Sequence, residues 1–207
     1  PPDSGVCAQV RLRIEQEAVL TRKAVGATLE MDNGSATTPI ENIGVTLQIY
    51  APDGSVANDR FVILPAQLTR FERVGDTSSE TNWVYLPHET WQLPPSRTGR
   101  ARWVILPKDQ AATNVPVVYR VGGAFTYTFG GVAGGATLFP APVTVYPNPR
   151  LVLKYFHERD VRSDDPFTPE VEPAVPFSLA VQVQNIGAGV AKNFSIASAQ
   201  PRIVDNQ

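Results

Sequence analysis

Residues Ala24 to Ile49 read AVGATLEMDNGSATTPIENIGVTLQI, and residues Pro176 to Ser198 read PFSLAVQVQNIGAGVAKNFSIAS. In the first stretch Val25, Ala27, Leu29 and Met31 put apolar side chains at every second position. That is the period of a strand with one buried face. A turn follows at Asn33-Gly34, then small residues, then a second alternating run with Ile43 and Val45 after Asn42. The second stretch repeats the order: Phe177, Leu179, Val181 and Val183, then Asn185 and a glycine turn, then Phe194 and Ile196 after Asn193. Upstream, Arg11 to Ile14 matches Arg150 to Leu153. The chain reads as one complete β unit followed by the opening strands of another, the mark of a stacked array.

Composition agrees with an all-β chain. The 19 prolines and 15 glycines fall between short apolar runs, where they act as turn punctuation. A length of 207 residues suits one or two domains, and 43% apolar residues are enough for a packed core. The net charge of -2 comes with no basic stripe, so a nucleic-acid partner has no electrostatic footprint. No apolar run reaches the roughly 18 residues of a membrane span. Pro1-Pro-Asp-Ser does not open a signal peptide, so the start reads as internal to a longer protein or as a product of processing. Cys7 has no second cysteine to bridge. It reads either as a small buried side chain on the first strand or as the partner of a cysteine in a preceding segment.

Strands are expected near 8–15, 24–32, 43–50, 60–64, 68–74, 83–86, 99–106, 117–129, 137–139 and 143–146. Arg13 to Arg22 reads as strand, turn and strand edge. Gly122-Gly123 suits a bulge, and Gly130 to Gly135 a flexible hairpin loop. Two such sheets packed face to face make an immunoglobulin-like β-sandwich over 1–148. Its expected core includes Leu12, Ile14, Leu29, Val45, Leu47, Trp103, Tyr119 and Val121. Pro147-Asn-Pro149 is a short, stiff joint. Residues 149–207 form a partial second unit with strands near 151–156, 177–183 and 193–196, and with Leu179 and Val181 as core positions. A unit of this size rarely sustains a core alone. It is therefore expected to be completed beyond Gln207 or by strands from another chain.

The stretch RLVLKYFHERDVRSDDPFTPEVEPAVPFSLAVQVQNIGAGVAKNFSIASAQP resembles the immunoglobulin-like modules, some of the CARDB type, that stand in tandem in very large secreted and cell-surface proteins. Its Asn185-Ile-Gly-Ala-Gly turn, followed by Ala191-Lys-Asn-Phe194, is similar to the N-x-G-x-G-x-A turn of that group. VCAQVRLRIEQEAVLTRKAVGATLEMDNG looks like the opening of a companion module. The resemblance implies a non-enzymatic spacer or adhesion unit, extracellular or at the cell surface. One candidate host is a mastigoneme-type glycoprotein of an algal flagellar surface. The implied partners are neighbouring modules of the same protein, other copies in an assembly, and glycans.

Few residues announce chemistry. Asp160, Asp164, Asp165, Glu170 and Glu172 cluster beside the proline joint, where oxygen ligands would suit Ca²⁺. Their irregular spacing fits equally a solvated loop whose acids cap turns and pair with Arg159 and Arg162. Asn33-Gly-Ser35 and Asn193-Phe-Ser195 are N-glycosylation sequons. Asn33 is expected in an exposed turn, and Asn193 at the start of a strand or in a turn. Trp83, Tyr85 and Trp91, lying in an irregular proline-rich stretch, are the aromatics that a carbohydrate-binding accessory module would expose. Trp103 alternates with Ala101 and Ile105 and reads as core. His88 and His157 each precede a glutamate but form no HExxH, and the Gly130 to Gly135 run lacks the pattern of a phosphate loop. The sequence thus predicts no catalytic residue and no cofactor other than the Ca²⁺ just described. It points to a structural module acting through tandem packing and protein–protein contacts, with a carbohydrate-binding accessory module as the alternative.

Overall fold

The structure is a computed structural model that describes residues 8–75, 82–84, 90–160, 165, 167–173 and 175–197. The chain divides into two compact units, Pro1–Asn148 and Pro149–Gln207. Among the described residues the only helical elements are two three-residue 3-10 turns, Asn58–Arg60 and Asp109–Ala111.

The first unit holds strands β1 (Ala8–Ile14), β2 (Ala18–Leu20), β3 (Val25–Asn33), β4 (Ile40–Tyr50), β5 (Phe61–Ile63), β6 (Gln67–Thr69), β7 (Glu72–Arg73), β8 (Asn82–Val84), β9 (Trp91–Gln92), β10 (Thr98–Pro107), β11 (Val117–Phe129) and β12 (Val132–Tyr146). One sheet runs β1-β3-β10-β6-β8, with β5 also on β10, and the other runs β2-β12-β11-β4. A small β7–β9 ribbon stands apart. Just past β1 the chain crosses from the first sheet to the second, where β2 lies parallel to the end of β12. The remaining pairings are antiparallel.

This order is that of an immunoglobulin-like sandwich. β1, β3, β10 and β6 take the places of strands A, B, E and D, and β4, β11 and β12 those of C, F and G. Tyr119 gives an independent sign. It is fully buried near the start of β11, and its hydroxyl donates to the Ala111 carbonyl, eight residues back, at 2.8 Å. A tyrosine tied back across the turn into strand F is a hallmark of this fold. The Phe61 ring meets Tyr119 edge-on at 4.9 Å, and the Arg60 guanidinium donates to the same hydroxyl oxygen. The core between the sheets is built from alternating positions: Val25, Ala27, Leu29 and Met31 of β3, Ala101, Trp103 and Ile105 of β10, and Tyr119, Val121 and Phe125 of β11.

Several expectations need correcting in detail. Leu12, Ile14 and Val45 are half-buried and pack on the margin of the core. Residues 130–135 are no loop. Gly130 and Gly131, with φ of +56° and +82°, make a two-residue turn, and β12 starts at Val132 and runs unbroken through 137–139 to Tyr146. Positive φ at both central residues matches the strand twist and is open to glycine at no steric cost. The bulge at Gly122-Gly123 is present: Val121 faces Ala141 but Gly123 faces Leu138. Gly123 has φ +139°, and a Cβ there would lie 1.9 Å from the Thr46 carbonyl oxygen.

The second unit holds β13 (Leu151–His157) and β14 (Leu179–Asn185), paired antiparallel from Leu151 opposite Asn185 to His157 opposite Leu179. The strand expected near 193–196 is not formed. Asn193 has φ +55°, a left-handed turn conformation that interrupts extension. Leu179 is 58% exposed and Val181 half-buried, so neither is a core residue of this chain.

Candidate interaction surfaces

The strongest candidate surface lies on the β13–β14 ribbon. Directly opposite residues of an antiparallel pair share a face. Leu151, Leu153 and Tyr155 therefore lie on one face with Val183, Val181 and Leu179. Val152, Lys154 and Phe156 share the other with Gln184, Gln182 and Ala180. The first face is almost wholly apolar. Tyr155 is 64% exposed and Leu153 40% exposed, and Phe177, just before β14, is also exposed. A two-stranded ribbon is at best marginally stable in water; three or more strands with a covered apolar face are needed.

The end of the ribbon is fastened in the same way as its counterpart in the first unit. Ala8 faces Asn33 at the end of β1–β3, and Leu151 faces Asn185 at the end of β13–β14. Each asparagine closes a local turn. Asn33 Oδ1 accepts from the Ser35 N–H and Asn185 Oδ1 from the Gly187 N–H, both two residues on. Each side-chain amide then donates to a carbonyl downstream, that of Thr38 for Asn33 and that of Gly189 for Asn185. Asn185 Oδ1 also accepts from the Arg150 N–H. The repeat is thus a repeat of paired strands: β13–β14 copies β1–β3. The structural match sets Ala8, not Leu12, against Leu151, so Arg11–Ile14 and Arg150–Leu153 are not equivalent.

A second surface is the outer face of the first sheet. Arg13, Glu15, Thr28, Glu30, Arg100 and Arg102 line a shallow hollow there. Its charges are matched across strands. Arg102 donates two bonds to the Glu15 carboxylate, at 2.6 and 3.0 Å, and Arg100 donates to Glu30 at 2.9 Å. The Arg102 guanidinium holds the Glu15 carboxyl below its ordinary value, with burial opposing, and the same contact raises Arg102. Thr98 donates to Asp32 at 2.8 Å. Inside the sandwich a small apolar cavity of about 30 Å³, lined by Leu29, Val45, Leu68, Trp91 and Trp103 among others, holds no more than about one water-sized probe.

The residues singled out from sequence are placed as follows. Asn33 is not in an exposed turn. It is 2% exposed, and its amide reaches the carbonyls of Leu93 and Pro94 as well as Thr38, at 3.0–3.1 Å. The nitrogen that would carry a sugar is enclosed. Asn193 is exposed in its left-handed turn. Asp160, Asp165, Glu170 and Glu172 are exposed, and Asp165 caps a turn by accepting from the Phe167 N–H at 3.0 Å. Asp164 lies outside the described residues. Among the described residues no group of three or more His, Cys, Asp or Glu side chains gathers where a metal could be held. Trp91 is 1% exposed with the Arg73 guanidinium over its ring at 5.6 Å, so it cannot belong to an exposed aromatic strip. Cys7, Tyr85, His88 and the Trp83 side chain lie outside the description. His157 is exposed. No helix among the described residues is long and apolar enough to cross a membrane.

No family model matches this chain. No curated protein matches it either. Solved structures share the sandwich at low identity. A protein described as AvmM, which catalyses macrocyclization in alchivemycin A biosynthesis, aligns with a TM-score of 0.41 at 11% identity, over 68% of this chain and 90% of that one. A family 123 glycoside hydrolase from Clostridium perfringens aligns at 0.37 and 10% identity, over 68% of this chain and 27% of that one. The major pilin subunit BcpA of Bacillus cereus aligns at 0.34 and 10% identity, over 86% of this chain and 55% of that one. The fold assignment rests on the strand order and the Tyr119 tie.

Proposed function

We propose that this chain is a non-catalytic structural module of a large extracellular or cell-surface filament or adhesion protein, working through contacts with neighbouring modules or other chains. The carrying observation is the β13–β14 ribbon, which repeats the opening strands of the first unit yet leaves Leu153, Tyr155 and Leu179 exposed. Each large apolar side chain buried there would contribute roughly 1.5–3 kcal/mol, so the ribbon gains by being covered. The matched charges on the outer face of the first sheet suit a surface that keeps its shape. The resemblance to tandem CARDB-like modules, with a mastigoneme-type glycoprotein as one host, supports the same setting. Trp91, being buried, takes away one of the three aromatics on which the carbohydrate-binding alternative stood.

The test is chemical cross-linking in the native source. Lys154 and Lys192 lie exposed on the second unit. The reading predicts cross-links from these lysines to other modules or chains, together with labelling of intact cells or secreted material by an antibody to the first unit. A protein found only inside cells, with no cross-linked partner, would overturn it.

A further inference from the structure

We propose that the free edge of β14 is a strand-acceptor site. Its occupant is an extended segment of another polypeptide, antiparallel to β14, with apolar side chains at alternate positions and uncharged polar ones between. The inference deepens the structural-module reading and rests on it.

The argument runs through the repeat. In the first unit β3 has two partners: β1 on one edge and β10 on the other. Along β10, Gly99 faces Met31, Ala101 faces Leu29, Trp103 faces Ala27 and Ile105 faces Val25. Those β10 residues are buried, and they continue the apolar face of β3 into the core. Aligning Asn33 with Asn185 sets Met31 against Val183, Leu29 against Val181, Ala27 against Leu179 and Val25 against Phe177. In the second unit β14 pairs with β13 alone among the described residues. The place that β10 fills on β3 is open on β14, and an unpaired strand edge is a template for pairing.

The chemistry of the occupant follows position by position. Its inward residues must meet Phe177, Leu179, Val181 and Val183, so they are apolar and alternate. Its outward residues differ from those of β10. On β3 the outward residues Glu30 and Asp32 meet Arg100 and Thr98. On β14 the equivalent positions are Gln182 and Gln184, which call for no arginine. A second copy of this chain cannot lend its β10, because that strand is already paired with β3, β5 and β6 in its own sandwich.

The experiment uses the full chain with a synthetic peptide spanning Arg97–Lys108 and carrying Arg100→Gln and Arg102→Gln. Amide exchange should slow at least tenfold across Leu179–Asn185 on adding peptide and stay unchanged across Val25–Asn33. Register is read by disulfide formation in a Cys7→Ser, Val181→Cys chain. A peptide with Ala101→Cys should cross-link at least tenfold faster than one with Val104→Cys, which points to the other face. No change in β14 exchange, or equal cross-linking of the two peptides, would overturn the proposal. So would protection of β14 that rises with protein concentration alone, which would make the occupant a second copy. The exchange measurement uses the unaltered chain and stands even if the cysteine variant misfolds. These outcomes concern one edge only: cross-links to native partners without peptide binding would leave the structural-module reading in place and remove the acceptor site.

Discussion

The ribbon β1–β3 and the ribbon β13–β14 share strand length, pairing sense and a closing asparagine, yet they end in opposite environments. On β3, Ala27, Leu29 and Met31 are completely buried under a second sheet. On β14 the equivalent Leu179 is 58% exposed, and Val181 and Val183 are half-buried. The local code is the same, so it is the partners that differ. Alternation and an asparagine turn suffice to shape a two-stranded ribbon, while burial comes from strands far away in sequence.

Truncating the core side of each ribbon should separate them most. Leu29→Ala removes a fully buried side chain, and denaturant unfolding should show a loss of about 2–5 kcal/mol. Leu179→Ala should change stability by no more than about 0.5 kcal/mol, as an exposed substitution does. Equal losses would mean that the second ribbon is already covered. Next comes the bulge, which only the first unit has. Gly123→Ala forces a left-handed backbone and a collision with the Thr46 carbonyl, and should cost roughly 2–4 kcal/mol in thermal or denaturant unfolding.

The asparagines give a finer contrast. Asn33→Ala strands buried carbonyls of the 93–94 segment and should cost about 2–3 kcal/mol. Asn185→Ala, in its more exposed turn, should cost about 1 kcal/mol. The smallest effect belongs to Glu15 and Arg102. The folded carboxyl titrates below its unfolded value, so its contribution is present above the unfolded value and is lost as pH falls through the folded one. Both side chains are more than a third exposed, so the loss is at most about 1 kcal/mol, and Glu15→Gln should flatten that part of the acid limb of the stability curve.

Legibility in the sequence followed the range of the interaction. Strands β3, β4, β10 and β11 were readable because side chains alternate over nine residues or more. The pairing of Asn33 with Asn185 was readable because each turn is closed within five residues. What failed was long-range. Asn33-Gly-Ser35 looks like an exposed turn until the chain returns sixty residues later and lays Leu93 and Pro94 over it. Trp91 looks free in its proline-rich surroundings but is enclosed by the sandwich. Gly134 and Gly135 look like loop, yet Gly130-Gly131 alone makes the turn and pairing with Thr126 and Tyr127 keeps the strand going. The open edge of β14 had no local signal at all. It is visible only when β10 is seen on β3.

Amide hydrogen exchange on the full chain, read for Val25–Asn33 and Leu179–Asn185 in one experiment, tests most directly the claim that the second ribbon is a copy of the first without its covering strands. The account predicts that the first segment exchanges only through global unfolding of its unit, while the second exchanges at least a hundredfold faster through local opening. Comparable protection in the two segments, in dilute protein without a partner, would contradict it.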